Sequence, residues 1–263
     1  MPSAYTHYRF GREALALLPE NLRLLAKQNR ALYNIGLHGP DIFFYYDPLH
    51  GSRPVGRLGA TLHAEPAAGF FEAARGVLGP DPDHGALAYV LGFLGHFALD
   101  SRCHPYIDQL ERMGLTSHTH IEAELDAVYM DDDGLPAGRY VPVHHIQATA
   151  ENAAVIARFF PALTQRQVLR CLRNMVLVQH LLTAPGTLHR EALYGALRLS
   201  GKYKDLSGLV IATRRDPHCR GLIPHLQELY GLALEDMAAM APAYTAAVCG
   251  GGPLPARMDH NFG

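Results

Sequence analysis

Apolar residues recur at helical spacing along most of this chain. Between residues 13 and 33, leucines stand at positions 17, 18, 22, 25 and 32, while charged residues occupy the other face. Similar patterns predict helices at about 59–78, 84–101, 117–130, 147–160, 165–182, 191–199 and 222–240. Segments rich in Pro and Gly separate several of them, and convincing strand patterns are nearly absent. The chain is therefore predicted to be an all-α protein.

The segment 36–46 is harder to assign. It joins a Gly/Pro turn to an aromatic run at 42–46, which fits either a short strand or a buried irregular stretch. The run is more typical of a core than of a cleft wall, although aromatic faces can also bind cations.

Length and composition favour one folded unit. The chain has 263 residues, 48% of them hydrophobic, with no fixed repeat and no low-complexity tract. The Asp-, Gly- and Pro-containing loop at 131–142 is the best domain boundary, but one multi-helix domain over residues 1–263 is the simpler prediction.

Charge and hydropathy limit the classes of partner. The formal net charge of -2 gives no general attraction to nucleic acid, so a stable nucleic-acid complex is not expected. The first ten residues do not form a secretory signal, and no window is apolar enough to span a membrane. Four widely spaced cysteines without a Cys-x-x-Cys motif fit reduced thiols. These features predict a cytoplasmic protein with at most peripheral membrane contact, and they leave its oligomeric state open.

Histidine provides the strongest chemical signal. The chain has 16 histidines, and between residues 96 and 124 four of them precede an acidic residue by four positions. Residues four apart lie on one face of a helix, so each pair can offer two ligands to one metal ion. The pairs are His96/Asp100, His104/Asp108, His118/Glu122 and His120/Glu124.

The first pair lies in a strongly apolar stretch. Burying His96 and Asp100 there is costly unless they share a cation or hydrogen-bond to each other, and the spacing alone fits both arrangements. Pro105 places His104 near the predicted end of that helix. Ligands of this kind without Cys suit catalytic zinc. Iron is less favoured, because the chain has no Glu-x-x-His motif of the kind found in di-iron bundles.

Several segments together resemble the bacterial zinc-dependent phospholipase C family, which is related in fold to fungal single-strand nucleases. The segments are AYTHYRFG at 4–11, GLHGPD at 36–41, LH at 62–63, GHFALDSRCHP at 95–105 and SHTHIE at 117–122. Their core, His-x3-Asp-x3-His followed by His-x3-Glu, is fairly specific. The resemblance runs in order through the first half and is looser towards the C-terminus.

The resemblance implies an all-helical domain with two or three Zn²⁺ ions in a cleft. It assigns one zinc to Asp41, His63, His96 and Asp100, and a second to His104, His118 and Glu122. His7, with Asp100 as a bridge, resembles part of a third site. Secreted relatives complete that site with a processed amino terminus. The group that would take this place in the present chain is left unassigned.

The last motif has two registers, because His120/Glu124 has the same spacing as His118/Glu122. The resemblance favours His118/Glu122. His120 is then expected to be a neighbour of the site or a surface residue.

The expected activity is phosphodiester hydrolysis, with a phospholipid or another small phosphodiester as substrate. Adjacent zinc ions activate water and polarise a phosphoryl oxygen, and Asp41 is the expected catalytic residue that orients or deprotonates the water. Asp41 also fits a helix cap or turn. Lys202 and Lys204 could contact an anionic substrate, although a solvated basic loop is the more common structure. Two alternatives are a single-strand nuclease and a metal-stabilised helical binding module without turnover.

Overall fold

The computed structural model describes residues 4–48, 54–183, 186–199, 201, 210 and 215–263, and α-helices dominate it. Among these described residues there is no strand, which confirms the all-α prediction. The helices are α1 (Ala4–Leu17), α2 (Glu20–Gln28), α3 (Arg30–Gly36), α4 (Pro54–Ala64), α5 (Ala67–Leu78), α6 (His84–Arg112), α7 (His118–Asp132), α8 (Ala150–Ala157), α9 (Gln165–Leu182), α10 (Thr187–Leu199) and α11 (Ile223–Gly250). Short 3₁₀ helices cover Gly39–Tyr45, Cys219–Gly221 and Ala256–Asp259.

Several predicted helices are divided or extended. The single helix predicted at 13–33 is wrong: α1, α2 and α3 occupy this part of the chain, with Pro19 before α2 and Asn29 between α2 and α3. The helix predicted at 59–78 is likewise two helices, α4 and α5, separated at Pro66. Proline disfavours helical geometry in the residue before it, which explains the break.

Two local expectations near the centre are resolved. The uncertain segment contains the 3₁₀ helix Gly39–Tyr45, whose side chains are mostly buried. The expected end of the third predicted helix near His104 is wrong, because α6 continues through Pro105 to Arg112. Pro105 cannot donate a hydrogen bond to the Ser101 carbonyl, but the helix accommodates this loss.

Helix α6 forms the centre of the molecule. Its residues from Gly85 to Asp100 are all buried, and the helix contacts α1, α2, α3, α5, α7, α8 and α11. Asp83 caps its start by accepting a hydrogen bond of 2.8 Å from the N–H of Ala86. One continuous hydrophobic cluster surrounds the helix and extends to Phe262. No described helix has the length and hydropathy needed to cross a membrane.

Glycines allow α3 and α6 to approach closely. A Cβ at Gly92 would collide with the Tyr33 carbonyl, and a Cβ at Gly36 would collide with the Tyr89 carbonyl. These obstacles are backbone atoms, so a side-chain rearrangement cannot relieve them. The contact also fixes the end of α3, which leads into the segment carrying Asp41.

We expect Gly92→Ala to lower the free energy of unfolding by about 3 kcal/mol, because it forces two packed helices apart. The matched control is Gly76→Ala on α5, where an added Cβ meets nothing within 4 Å. That change is expected to raise stability by up to about 1 kcal/mol through helix propensity. Denaturant unfolding measures both values, and equal stability of the two variants would contradict the packing argument.

Candidate metal centre

The structure brings all eight predicted metal-ligating residues to one place. They come from five elements that are separate in sequence: α1, the 3₁₀ helix Gly39–Tyr45, α4, α6 and α7. The residues are His7, Asp41, His63, His96, Asp100, His104, His118 and Glu122.

Helix α6 supplies the middle of the cluster. His96, Asp100 and His104 follow one another at steps of four and therefore lie along one face. The two carboxylate oxygens of Asp100 face different groups of imidazoles. Its Oδ2 lies 2.9 Å from Nε2 of His96, whereas its Oδ1 lies 3.6 Å from Nε2 of His104.

The Oδ2 side contains Asp41 and His63. His63 Nε2 lies 3.1 Å from Asp41 Oδ1 and 3.7 Å from Asp100 Oδ2. His96 Nε2 also lies 3.6 Å from Asp41 Oδ2. Two carboxylates therefore face two imidazoles across a short gap.

The Oδ1 side contains His7, His104, His118 and Glu122. His7 Nε2 lies 3.2 Å from Asp100 Oδ1, and its ring stacks on His96. Glu122 Oε1 lies 3.6 Å from Nε2 of His104 and 3.4 Å from Nε2 of His118. Asp100 is thus the carboxylate that faces both sides of the cluster.

Unpartnered polar atoms in the cluster are suited to a metal ion. The buried atoms without a hydrogen-bond partner include Asp41 Oδ2, His96 Nε2, Asp100 Oδ2 and Glu122 Oε2. His96 and Asp100 approach closely but lack hydrogen-bond alignment, as expected when both atoms point towards a common centre. Zinc bonds of 2.0–2.1 Å in a tetrahedron place two ligand atoms about 3.3 Å apart, which matches many of these separations. The buried groups could therefore hold a metal ion.

Neighbouring groups orient two of the imidazoles. His63 Nδ1 lies 2.8 Å from the Gly59 carbonyl, and His118 Nδ1 lies 3.1 Å from Asp108 Oδ1. In metalloproteins, such contacts fix the ring and leave the other nitrogen for the metal. Helical spacing pairs Asp108 with His104, but the packing of α7 against α6 pairs it with His118 instead.

The position of His7 depends on a buried acid of α7. Asp126 accepts hydrogen bonds from the backbone N–H groups of Tyr5 and Thr6, at 3.1 and 2.7 Å. It also accepts a hydrogen bond from the Thr6 hydroxyl at 2.7 Å. Because Asp126 lies one turn beyond Glu122, these contacts tie the start of α1 to the face of α7 that carries Glu122.

Two other positions support the centre without ligand atoms in it. Gly39 has a φ of 44°, and a Cβ there would collide with the His96 ring. Phe262 packs against His63 and His96, and its N–H donates a hydrogen bond of 3.2 Å to the His63 carbonyl. Sequence reasoning missed Phe262, because no pattern near the end of the chain links it to α4.

An open pocket of about 220 Å³ reaches the cluster from solution. Five of the eight residues line it: Asp41, His63, His104, His118 and Glu122. His7, His96 and Asp100 lie deeper and are almost fully buried. The cluster therefore has a closed inner side and an accessible outer side, which suits a site that binds a metal ion and an exogenous molecule.

Electrostatics shift the acids towards ionisation. Burial would raise the pKa of Asp100, but the imidazoles of His104, His96 and His7 hold it well below its usual range. Asp41 and Glu122 also have lowered pKa values despite burial, because His96 and His118, respectively, are close to them. All three carboxylates are therefore ionised at neutral pH.

The pKa values of the histidines shift in different directions. Burial lowers the pKa of His96. For His63 burial has the same effect, but the charge of Asp41 and hydrogen bonds to Asp100 and Asp41 outweigh it and raise the pKa to about 11. Burial is likewise outweighed at His118, where Glu122 raises the pKa to about 9.

We expect metal binding to strengthen as pH rises, because His63 and His118 must lose protons to become ligands. Between pH 7 and 8 both imidazoles are protonated in the metal-free protein, and each belongs to a different group of ligands. The logarithm of the affinity should therefore rise by about one per pH unit for each ion, and by about two for both ions together. The slope should fall above pH 9, once His118 is already neutral. Calorimetry in buffers of different ionisation enthalpy measures the released protons. An affinity independent of pH would contradict this charge assignment.

The other residues singled out from the sequence lie in different places. The pair His120/Glu124 lies away from the cluster, against Asp216, whereas His118/Glu122 occupies it. In the aromatic run, Ile42, Phe43 and Tyr45 are core residues, and Phe44 lines the pocket. Lys202 and Lys204 lie outside the described residues.

Comparisons with family models, curated proteins and solved structures give no match to this chain. The fold and the geometry of the cluster are therefore the basis for assigning a function.

Proposed function

We propose that this protein is a zinc-dependent phosphodiester hydrolase that resembles phospholipase C. One observation carries the proposal: five imidazoles and three carboxylates from five elements converge at the inner end of one open pocket. A binding or catalytic centre explains this convergence and the unpartnered buried atoms together.

The donor set suits zinc. It contains only imidazole nitrogens and carboxylate oxygens, which are typical of catalytic zinc sites with an open position. Asp41, His63, His96 and Asp100 would hold one ion, and His104, His118 and Glu122 a second. Asp100 and His7 would contribute to a third if further ligands complete it.

The charge balance favours an anionic substrate. With neutral imidazoles, the three carboxylate ligands leave two divalent cations with a net positive charge, which Asp108 in the pocket lining partly offsets. The accessible side of the centre faces the pocket, where a phosphodiester group can bring a compensating negative charge. This complementarity supports a phosphoester over a neutral ester or amide.

Hydrolysis also needs an activated water and a stabilised leaving oxygen. Bound divalent ions supply acidity to water and polarise the phosphoryl group. Asp41 lies at the pocket with Oδ2 unpartnered and Oδ1 close to His63, so its carboxylate can orient the attacking water and accept a proton. The Gly59 carbonyl and Asp108 hold the rings of His63 and His118 in place during this step.

A second cavity supports a lipid as substrate. It has a volume of about 640 Å³ and is lined largely by apolar side chains, including Leu58 and Leu62 of α4, Phe70, Phe159 and Phe160. The same helix carries His63 to the metal centre. Helix α4 thus joins a polar pocket suited to a phosphate group with an apolar cavity suited to an acyl chain.

The test is hydrolysis by the full chain loaded with Zn²⁺. Its substrates are phosphatidylcholine, an anionic phospholipid, a chromogenic phosphodiester and single-stranded DNA. Release of diacylglycerol and phosphorylated headgroup supports the proposal, provided that His96→Ala abolishes it. His180→Ala is the matched control, since this imidazole on α9 is exposed. Cleavage of DNA alone would identify a nuclease, whereas zinc binding without any turnover would identify a binding module; either result would overturn the proposal.

A further inference from the structure

Helix α7 presents a second histidine and acid pair on a different face. His120 and Glu124 each follow a ligand-bearing residue, His118 or Glu122, by two positions. Two residues correspond to a rotation of about 200° around an α-helix, so the second pair points away from the first. It faces the segment immediately before α11 rather than the pocket.

That segment supplies a carboxylate and a thiol. His120 Nε2 lies 3.0 Å from Asp216 Oδ2. Cys219 is buried in the 3₁₀ helix Cys219–Gly221, and ligand atoms of His120, Asp216 and Cys219 all lie within 4.8 Å of one another. Three different donor types therefore converge from two elements that are remote in sequence.

Hydrogen bonds orient the carboxylate towards His120. Asp216 Oδ1 accepts a hydrogen bond of 2.9 Å from the N–H of His218, which leaves Oδ2 on the side of the imidazole. The N–H of Asp216 itself donates to Glu124 Oε2 at 3.1 Å. Glu124 thus acts as a positioning residue that holds the segment against α7.

The cluster is reachable from solution. Asp216 and Cys219 line a cavity of about 330 Å³, together with Glu124, Val128 and Ile223. Two cations also line this cavity: Arg215 pairs with Asp131 at 2.6 Å, and Arg220 is exposed to solvent. A small cation and a coordinated water have both access and room here.

We propose that His120 Nε2, Asp216 Oδ2 and Cys219 Sγ form a second metal site, selective for Zn²⁺ over Mg²⁺ and Ca²⁺. A thiolate and an imidazole favour zinc, whereas the lighter cations prefer oxygen ligands. The Cys219 thiol releases its proton to solvent as the sulfur–metal bond forms, and water fills the fourth position. The ion would link α7 to the segment just before α11. Its binding does not depend on catalytic activity at the first centre, which is the cluster around Asp100.

Co²⁺ provides a probe that separates the two sites, because only the second contains sulfur. The experiment uses the full chain with Cys249→Ser, which removes the exposed thiol. Titration with Co²⁺ is expected to give sulfur-to-cobalt charge-transfer absorption in the near ultraviolet. Cys219→Ser should abolish this absorption, while the matched change Cys171→Ser at another buried cysteine should retain it.

His120→Ala is the second variant, since its partly exposed ring can be removed without opening the core. It should weaken the thiolate-dependent Co²⁺ binding by at least about tenfold. His96→Ala should retain the absorption, which keeps this result independent of the first centre. Absorption that is absent from the parent protein, or that survives Cys219→Ser, would overturn the proposal.

Discussion

Asp100→Asn is expected to lower kcat/KM for phosphodiester hydrolysis by at least about 10³-fold, even with excess Zn²⁺. Asp100 faces His96 with one oxygen and His7 and His104 with the other. Asparagine has nearly the same shape, but it carries no negative charge. An NH2 group, which donates hydrogen bonds, replaces one of the two acceptor oxygens. The loss should therefore affect both sides of the cluster while packing in α6 is largely retained.

Asp236→Asn is the matched control for that substitution. Asp236 lies on α11 and pairs with Arg102 and Arg257, both at 2.6 Å, outside the pocket. This variant is expected to lose stability but to keep kcat/KM per folded molecule. Steady-state kinetics and bound-metal analysis should be measured on both proteins. Activity of Asp100→Asn within tenfold of the parent would contradict the bridging role of Asp100.

Helical spacing predicted the centre of this site but not all of it. His96, Asp100 and His104 stand at steps of four, so a single helix is enough to place them on one face. Asp41 and His63 lie on other elements, and no local pattern connects them to α6. Their assignment depended on a family resemblance, because the contact exists only after α4 and the 3₁₀ helix pack together.

Local spacing carries no information on how helices pack against each other, and this explains the ambiguous or incorrect predictions. Spacing could not distinguish His118/Glu122 from His120/Glu124, since both pairs satisfy the same rule on one helix. It paired Asp108 with His104, whereas the structure pairs Asp108 with His118. The all-α class was predictable from periodicity, but helix ends at Pro66 and continuity through Pro105 depend on their surroundings.

Removal of bound metal is expected to lower the melting temperature by about 8–16 °C. An ion present at a thousandfold its dissociation constant stabilises the folded state by about 4.1 kcal/mol if it binds only that state. For a domain of this size, each 1 kcal/mol shifts the melting temperature by about 2–4 °C. The physical cause is the unpartnered Asp41, Asp100 and His96 atoms, which the metal-free fold keeps buried.

Thermal unfolding with Zn²⁺ and with a chelator measures this shift, and Cys219→Ser separates the two proposed sites. Most of the shift should persist in that variant, whereas Asp100→Asn should remove most of it. An unchanged melting temperature in the parent protein would contradict a metal-stabilised centre.

Metal-dependent stability alone fits both an enzyme and a binding module. Parallel loss and recovery of hydrolysis during chelation and Zn²⁺ addition would favour the enzyme, because only turnover requires the open side of the cluster to act on a substrate.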